Sequence, residues 1–296
     1  MKRVFLPILV VVASIVFSGC GGGSSTSGTG SEGAKLAKAT YENAQKVEEA
    51  LFSKAYSDNG YRAREIGNSS SVKANPLVFN LAKGYIKLNS VNSSVRQRTL
   101  SNVCQSGSVD EDVISETATS KTIIYRYNNC SNGVKVVNGS VTLKLSDKSG
   151  DNYNRESIIF GDNYSVNYSN GKSLKIDNGG VIDITITNYI SDNNFEFVLD
   201  TTMKITEDGY SYGYDGMELH YTIFAQDTYW YQTTGVIYIN NYSEFVLYDN
   251  SYNMAESEYK LDSNGYPITG EARYKMDGGV LRVVANNGAI DLDIIQ

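Results

Sequence analysis

From about residue 103 to the C-terminus, apolar and polar residues alternate with a period of two, and turn signals interrupt them at short intervals. Val141, Leu143 and Leu145 alternate with Thr142, Lys144 and Ser146; Ile182, Ile184 and Ile186 alternate with Asp183, Thr185 and Thr187. Phe195, Phe197 and Leu199 follow the same pattern, as do Ile290, Leu292 and Ile294 near the end. Such a chain can bury one face of a strand but not one stripe of a helix. Between the runs stand Asn-Gly at 132–133, 138–139 and 170–171, and Asp-Gly at 208–209 and 215–216. Asn-Gly-Gly at 178–180, Ser-Asn-Gly at 263–265 and Asp-Gly-Gly at 277–279 continue the series. Asn and Gly tolerate the positive φ of two-residue hairpin turns. The spacing predicts about ten to thirteen strands in an antiparallel meander. With 23 Tyr, 27 Gly and only 3 Pro, the composition suits many strands joined by tight turns.

Before this region lies one clear helical pattern, in residues 34–56. Leu36, Thr40, Ala44, Val47, Leu51 and Ala55 recur at three- and four-residue intervals and form one narrow apolar stripe. A helix with a stripe of small residues packs against a sheet. A second short helix is expected after Pro76, since Pro is favoured in a first turn. An open meander of this many strands must curl or split, and one of its faces must be covered. The expected fold is therefore mainly β: an antiparallel meander curled into an open or half-closed barrel, with the N-terminal helix packed on it. A weak internal repeat accompanies it. Gly139-Ser140-Val141, Gly179-Gly180-Val181, Gly278-Gly279-Val280 and Gly288-Ala289-Ile290 each follow Asn or Asp and are expected to open a strand.

The N-terminus has a different logic. Lys2 and Arg3 precede fourteen mostly apolar residues, Val4 to Phe17, in the layout of a secretion signal. That run is too short for a bilayer span, which needs about 20 residues, and Pro7 interrupts it. Phe17-Ser18-Gly19-Cys20 resembles the lipobox of bacterial lipoproteins, with Phe17 where Leu is usual. The resemblance implies a signal peptide over 1–19, lipidation of Cys20 and acylation of its new amine, hence anchoring to a membrane. Gly21 after the cysteine, rather than Asp, implies the outer membrane. Residues 20–33 then read as the anchor and a Gly/Ser tether, whose random-coil reach is roughly 20 Å; residues 34–296 form the folded domain.

With Cys20 assigned to lipid, the other two of the three cysteines, Cys104 and Cys130, are left as one pair. In an oxidising periplasm they are expected to form a disulfide, closing a loop worth roughly 3 kcal/mol. Around them, Cys104-x-x-Gly107-x-Val109, Tyr127-x-Asn129-Cys130-x-x-Gly133 and Asn138-Gly139-x-Val141 resemble a strand pattern of uncharacterised proteobacterial envelope lipoproteins. This implies architecture and no activity. Loss of the leader takes the formal net charge from −7 to −9, which argues against nucleic acid as a partner.

No chemistry announces itself. His220 is the only histidine; it shares a strand face with Glu218 and Thr222, has no marked nucleophile, and reads as an ordinary strand residue. Asp262, Asn264 and Gly265 lack EF-hand spacing and read as a turn. No catalytic residue, metal or cofactor is expected. The most suggestive cluster is aromatic. Tyr210, Tyr212 and Tyr214 occupy every second position, and Tyr229 and Tyr231 flank Trp230, the only tryptophan. They read as a stacking platform for sugar rings or a partner, or as cross-strand packing. Three functions follow. The leading one is an anchored envelope lipoprotein with a non-catalytic structural or interaction role. The others are a carrier of lipid or another apolar ligand in a half-barrel cavity, and a glycan binder using the tyrosine rows.

Overall fold

The structure is a computed structural model that describes residues 33–52, 76–82, 104–150, 152–191, 194–224, 227–251, 258–261 and 267–296. The signal segment, Cys20 and the Asp262–Gly265 turn lie outside them. The fold is mainly β, as the alternation requires. β2 (Ser106–Glu116), β3 (Lys121–Ser131) and β4 (Lys135–Ser149) lead into β5 (Asn152–Phe160) and β6 (Ser165–Tyr168). β7 (Ser173–Ile176), β8 (Val181–Ser191), β9 (Asn194–Glu207), β10 (Tyr210–Phe224) and β11 (Asp227–Ile239) follow. β12 (Glu244–Tyr248), β13 (Tyr259–Leu261), β14 (Pro267–Met276), β15 (Gly279–Asn286) and β16 (Ala289–Ile295) complete the sheet.

The pairing is an antiparallel meander in which three strands are broken in two. β5 and β6 lie end to end along β4, β7 and β8 end to end along β9, and β12 and β13 end to end along β11. Among the described residues, β2 and β16 pair on one side only, so the sheet is an open curl. Asp110, Glu111, Asp112 and Glu116 stud β2, and Asp291 and Asp293 stud β16; edge charges of this kind oppose pairing with another chain. The expected disulfide is present: Cys104 and Cys130 are joined, with Cα atoms 5.0 Å apart, tying the chain just before β2 to β3.

The alternating runs fall in the expected phase. Val141, Leu143, Leu145, Ile182, Ile184, Phe197, Leu199 and Ile290 all point into the core. Asp208-Gly209 is a two-residue turn with φ of 50° and 83°. Asp215-Gly216 is not a turn. It lies inside β10, where the register with β9 shifts between Tyr214 and Met217, and Gly216 takes φ 54° as a bulge requires. Asn138-Gly139 likewise lies inside β4, so only the other three glycine-led repeats open strands.

The helix α1 spans Tyr41–Phe52. It begins later than the periodicity predicts. Thr40 caps it, its Oγ1 accepting the Asn43 amide at 3.3 Å. Before the cap, Lys35–Leu36 form β1, parallel to the start of β12, and Ala39 N–H donates to the Asp277 carbonyl. The edge of β12 left free beyond β14 is what holds these residues extended. Asn43 fixes the entry from inside: its Nδ2 donates to the Lys38 carbonyl at 3.0 Å, and Asn240 Nδ2 donates to its Oδ1 at 3.0 Å. Ala44, Val47, Ala50, Leu51 and Phe52 are buried, and the helix packs against β11 and β16. Residues 77–82 form the short helix expected after Pro76, with Leu77, Val78, Phe79 and Leu81 in the same core.

The meander gives the sheet two ends. The chain enters at the one that carries the turns 208–209, 240–243 and 277–278. The β8–β9 and β10–β11 hairpins close at the other.

Candidate functional site

The bulge in β10 decides where its tyrosines go. Tyr210, Tyr212 and Tyr214 do share a face, with successive ring centroids 6.1 and 6.2 Å apart, but it is the inner one. Tyr212 and Tyr214 are 1% and 0% exposed, so they present no surface to a ligand. This corrects the platform reading for β10. Tyrosine suits this interior because its ring fills volume while its hydroxyl finds an acceptor. Tyr212 donates to Glu207 Oε2 at 2.8 Å, and Tyr214 donates to the Ala50 carbonyl of α1. Tyr274 donates to Gln232 Oε1 at 2.7 Å, and Tyr259 to the Val283 carbonyl. Half-buried Tyr210 accepts the Asn240 amide at 2.9 Å. The tyrosines thus pin helix to sheet and strand to strand.

Tyr229 and Tyr231 lie on the outer face, with Trp230 buried between them on the inner one. Tyr231 is opposite His220 in β10, and their rings stack at 4.9 Å and 12°. His220 Nε2 lies 2.9 Å from Glu218 Oε1, which also accepts the Thr233 hydroxyl at 2.5 Å. Those two hydrogen bonds, first from Thr233 and then from His220, hold the Glu218 carboxyl below its ordinary range. Tyr229 donates to Asp227 Oδ2 at 3.2 Å, and Lys260 Nζ stands 3.1 Å from that carboxylate and 5.5 Å from the Tyr229 ring centre. The strip therefore offers two half-exposed phenol rings, an imidazole and several acceptors on the outer sheet face.

Beside it runs a row of like charges. Asp183 of β8 faces Asp200 of β9, and Asp200 faces Glu218 of β10. Partial burial, then Asp183 and Glu218, push the Asp200 carboxyl up, while Ser157 Oγ donates to Asp183. A carboxyl whose folded pKa is raised costs stability wherever it is ionised, and the cost vanishes once pH falls below the ordinary carboxylate range. Asp200→Asn is therefore expected to raise Tm at pH 7 by about 1–2 °C, for about 0.5 kcal/mol of partial desolvation and cross-strand repulsion together. Scanning calorimetry at pH 7 and again near pH 3 checks the sign: the advantage should be gone at the lower pH. The sequence displayed every member of this row, but only strand register makes them neighbours.

Among the described residues, no group of three or more His, Cys, Asp or Glu is placed to hold a metal ion. The inner face carries α1 and residues 77–82, with Phe52 edge-on to Trp230 at 6.4 Å and Phe79 stacked on Tyr221 at 4.6 Å. No helix of the described residues is long and apolar enough to cross a membrane. No family model, curated protein or solved structure matches the chain.

Proposed function

We propose that this is a bacterial envelope lipoprotein anchored through Cys20, serving as a binding or structural module rather than as a catalyst. One observation carries the anchoring reading best. It is the Phe17-Ser18-Gly19-Cys20 motif behind an apolar leader in the sequence; the first described strand, Lys35–Leu36, pairs with the start of β12 at one end of the sheet. The non-catalytic role rests on the sequence, in which His220 is the only histidine and no sharp-turn motif marks a nucleophile for it; Thr233 and His220 each bond to Glu218. Outer-membrane placement follows from Gly21 and belongs to the same proposal. Cys20→Ser is expected to abolish incorporation of an alkyne-tagged fatty acid and to move the protein out of the membrane fraction. The intact mass should lose the diacylglycerol and amide-linked acyl groups. Unmodified wild-type protein still carrying residues 1–19 would overturn the proposal.

A second reading is favoured by the outer-face aromatics. Tyr229 and Tyr231, beside the acceptors of Glu218 and Asp227, form a platform of the type that holds neutral sugar rings. Tyr229→Ala with Tyr231→Ala is expected to lose binding on a glycan array by about tenfold or more, with Tm changed by less than about 3 °C. Unchanged array binding, or a collapse in Tm, would count against it.

A further inference from the structure

The inner face holds a row of rings unlike the rest of the core. Phe197, Tyr221, Trp230 and Tyr259 are cross-strand neighbours on β9, β10, β11 and β13. Phe197 and Tyr221 stack at 4.9 Å and 3°, and Trp230 and Tyr259 at 4.2 Å and 2°, whereas Tyr221 and Trp230 stand 6.4 Å apart at 27°. Phe79, from the short 77–82 helix, lies over Tyr221 at 17°. Toward the end of the sheet away from the chain entry, the row opens to solvent. Phe197 meets Phe195 at 5.6 Å, and Phe195 meets Tyr189 at 6.3 Å. Phe195 faces Ile223 across the strands, and Tyr189 is 41% exposed. A continuous aromatic wall thus runs from the surface to the centre.

At the inner end of that wall is an anomaly. The Tyr221 hydroxyl is buried and has no hydrogen-bond partner among the described residues, although the hydroxyls of Tyr212, Tyr214, Tyr259 and Tyr274 are all bonded. A buried donor left unmade is costly, and phenylalanine would fill the same volume without that cost, as it does next door at 197. Burial alone pushes the Tyr221 phenol well above its ordinary value, with no charged group among the described residues contributing. The hydroxyl is therefore a donor at every physiological pH, and its surroundings favour a ligand without charge.

We propose that Tyr221 is the donor of a binding site for a planar, uncharged, carbonyl-bearing ring of the quinone class, entered across Tyr189, Phe195 and Ile223 and closed by Phe79. Flatness follows from the near-parallel rings of Phe197, Tyr221 and Phe79, which stack on a plane better than on a branched chain. The carbonyl follows from the hydroxyl that needs an acceptor. Phe79 occupies the ring position over Tyr221, so binding displaces it outward. This site goes beyond the anchoring proposal and does not depend on acylation of Cys20, so either can fail alone.

Trp230 is the only tryptophan and is fully buried, which makes its emission a local reporter. The full chain, purified in a zwitterionic detergent whether or not it is acylated, is titrated with tetramethyl-1,4-benzoquinone, whose ring has no position open to thiol addition. Saturable quenching is expected. Tyr221→Phe should weaken half-saturation by about tenfold with Tm unchanged or higher, since the variant removes only an unpaired donor. Phe195→Asp at the part-exposed rim should weaken it as much. Quenching that stays linear in quinone, or equal half-saturation in wild type and Tyr221→Phe, would overturn the proposal. Saturable quenching by a brominated monoacylglycerol but not by the quinone would also overturn it, in favour of an acyl chain.

Discussion

Trp230→Ala should lower the stability of the domain by about 3–5 kcal/mol, the range for deleting a fully buried large aromatic ring. In a domain of this size that corresponds to a fall in Tm of roughly 6–20 °C. The reason is where the indole sits. It stacks on Tyr259 at 4.2 Å, flanks Tyr221, and takes the edge of Phe52 from the last turn of α1. Its loss removes packing from three strands and the helix together, and the rigid sheet cannot collapse into the space. Hydrogen exchange should show the amides of α1 losing more protection than those of β3 and β4, which lie far along the sheet. Trp230→Phe, which keeps a ring on Tyr259, should cost less than half as much. A loss under about 1 kcal/mol for the alanine variant would mean the helix does not depend on this contact.

Gly270→Ala is expected to cost about 2–5 kcal/mol, although it adds one carbon. Gly270 sits at φ 129°, and a Cβ there would lie 2.4 Å from Tyr259 Cα and 2.7 Å from the Glu258 carbonyl oxygen. The strain has two sources: a backbone conformation that L-residues avoid, about 1–2 kcal/mol, and overpacking of about 1–3 kcal/mol. The obstructing atoms are main chain, and β13 cannot retreat without carrying Tyr259 off Trp230. Gly278 is the control. It has φ 87°, but a methyl group there would meet no atom of the described residues within 4 Å, so Gly278→Ala should cost only about 1 kcal/mol. Urea denaturation of the pair separates steric obstruction from backbone conformation. Equal losses would show that the close approach to β13 contributes nothing.

Much of the architecture was written in local pattern. Val141, Leu143 and Leu145 are buried while Lys144 and Ser146 are exposed, because alternate side chains of a strand point to opposite faces. Ala44, Val47 and Leu51 are buried for the corresponding helical reason. Local pattern misled where tertiary contacts overrode it. Leu36 continued the helical stripe, but the free edge of β12 offered its backbone a ladder, and Thr40 supplied a better start. Asp215-Gly216 has the composition of a turn, yet neighbours on both sides absorbed it as a bulge. The tyrosine row of β10 could be assigned to one face but not to a particular one. A phenol is apolar along its body and polar at its tip, so it satisfies either side of a sheet.

Period and turn chemistry act between residues a few positions apart, so a mainly β meander, a short N-terminal helix and the partners available to two downstream cysteines could be read from the chain alone. Register acts between residues far apart: it sets His220 against Tyr231, Asp200 between two other acids, and Tyr221 among rings that leave its hydroxyl unpaired. Those juxtapositions arise only when the sheet curls around its helix. Side-chain alternation tells each strand which residues travel together, but the energy that chooses the inner face comes from what the rest of the fold places there.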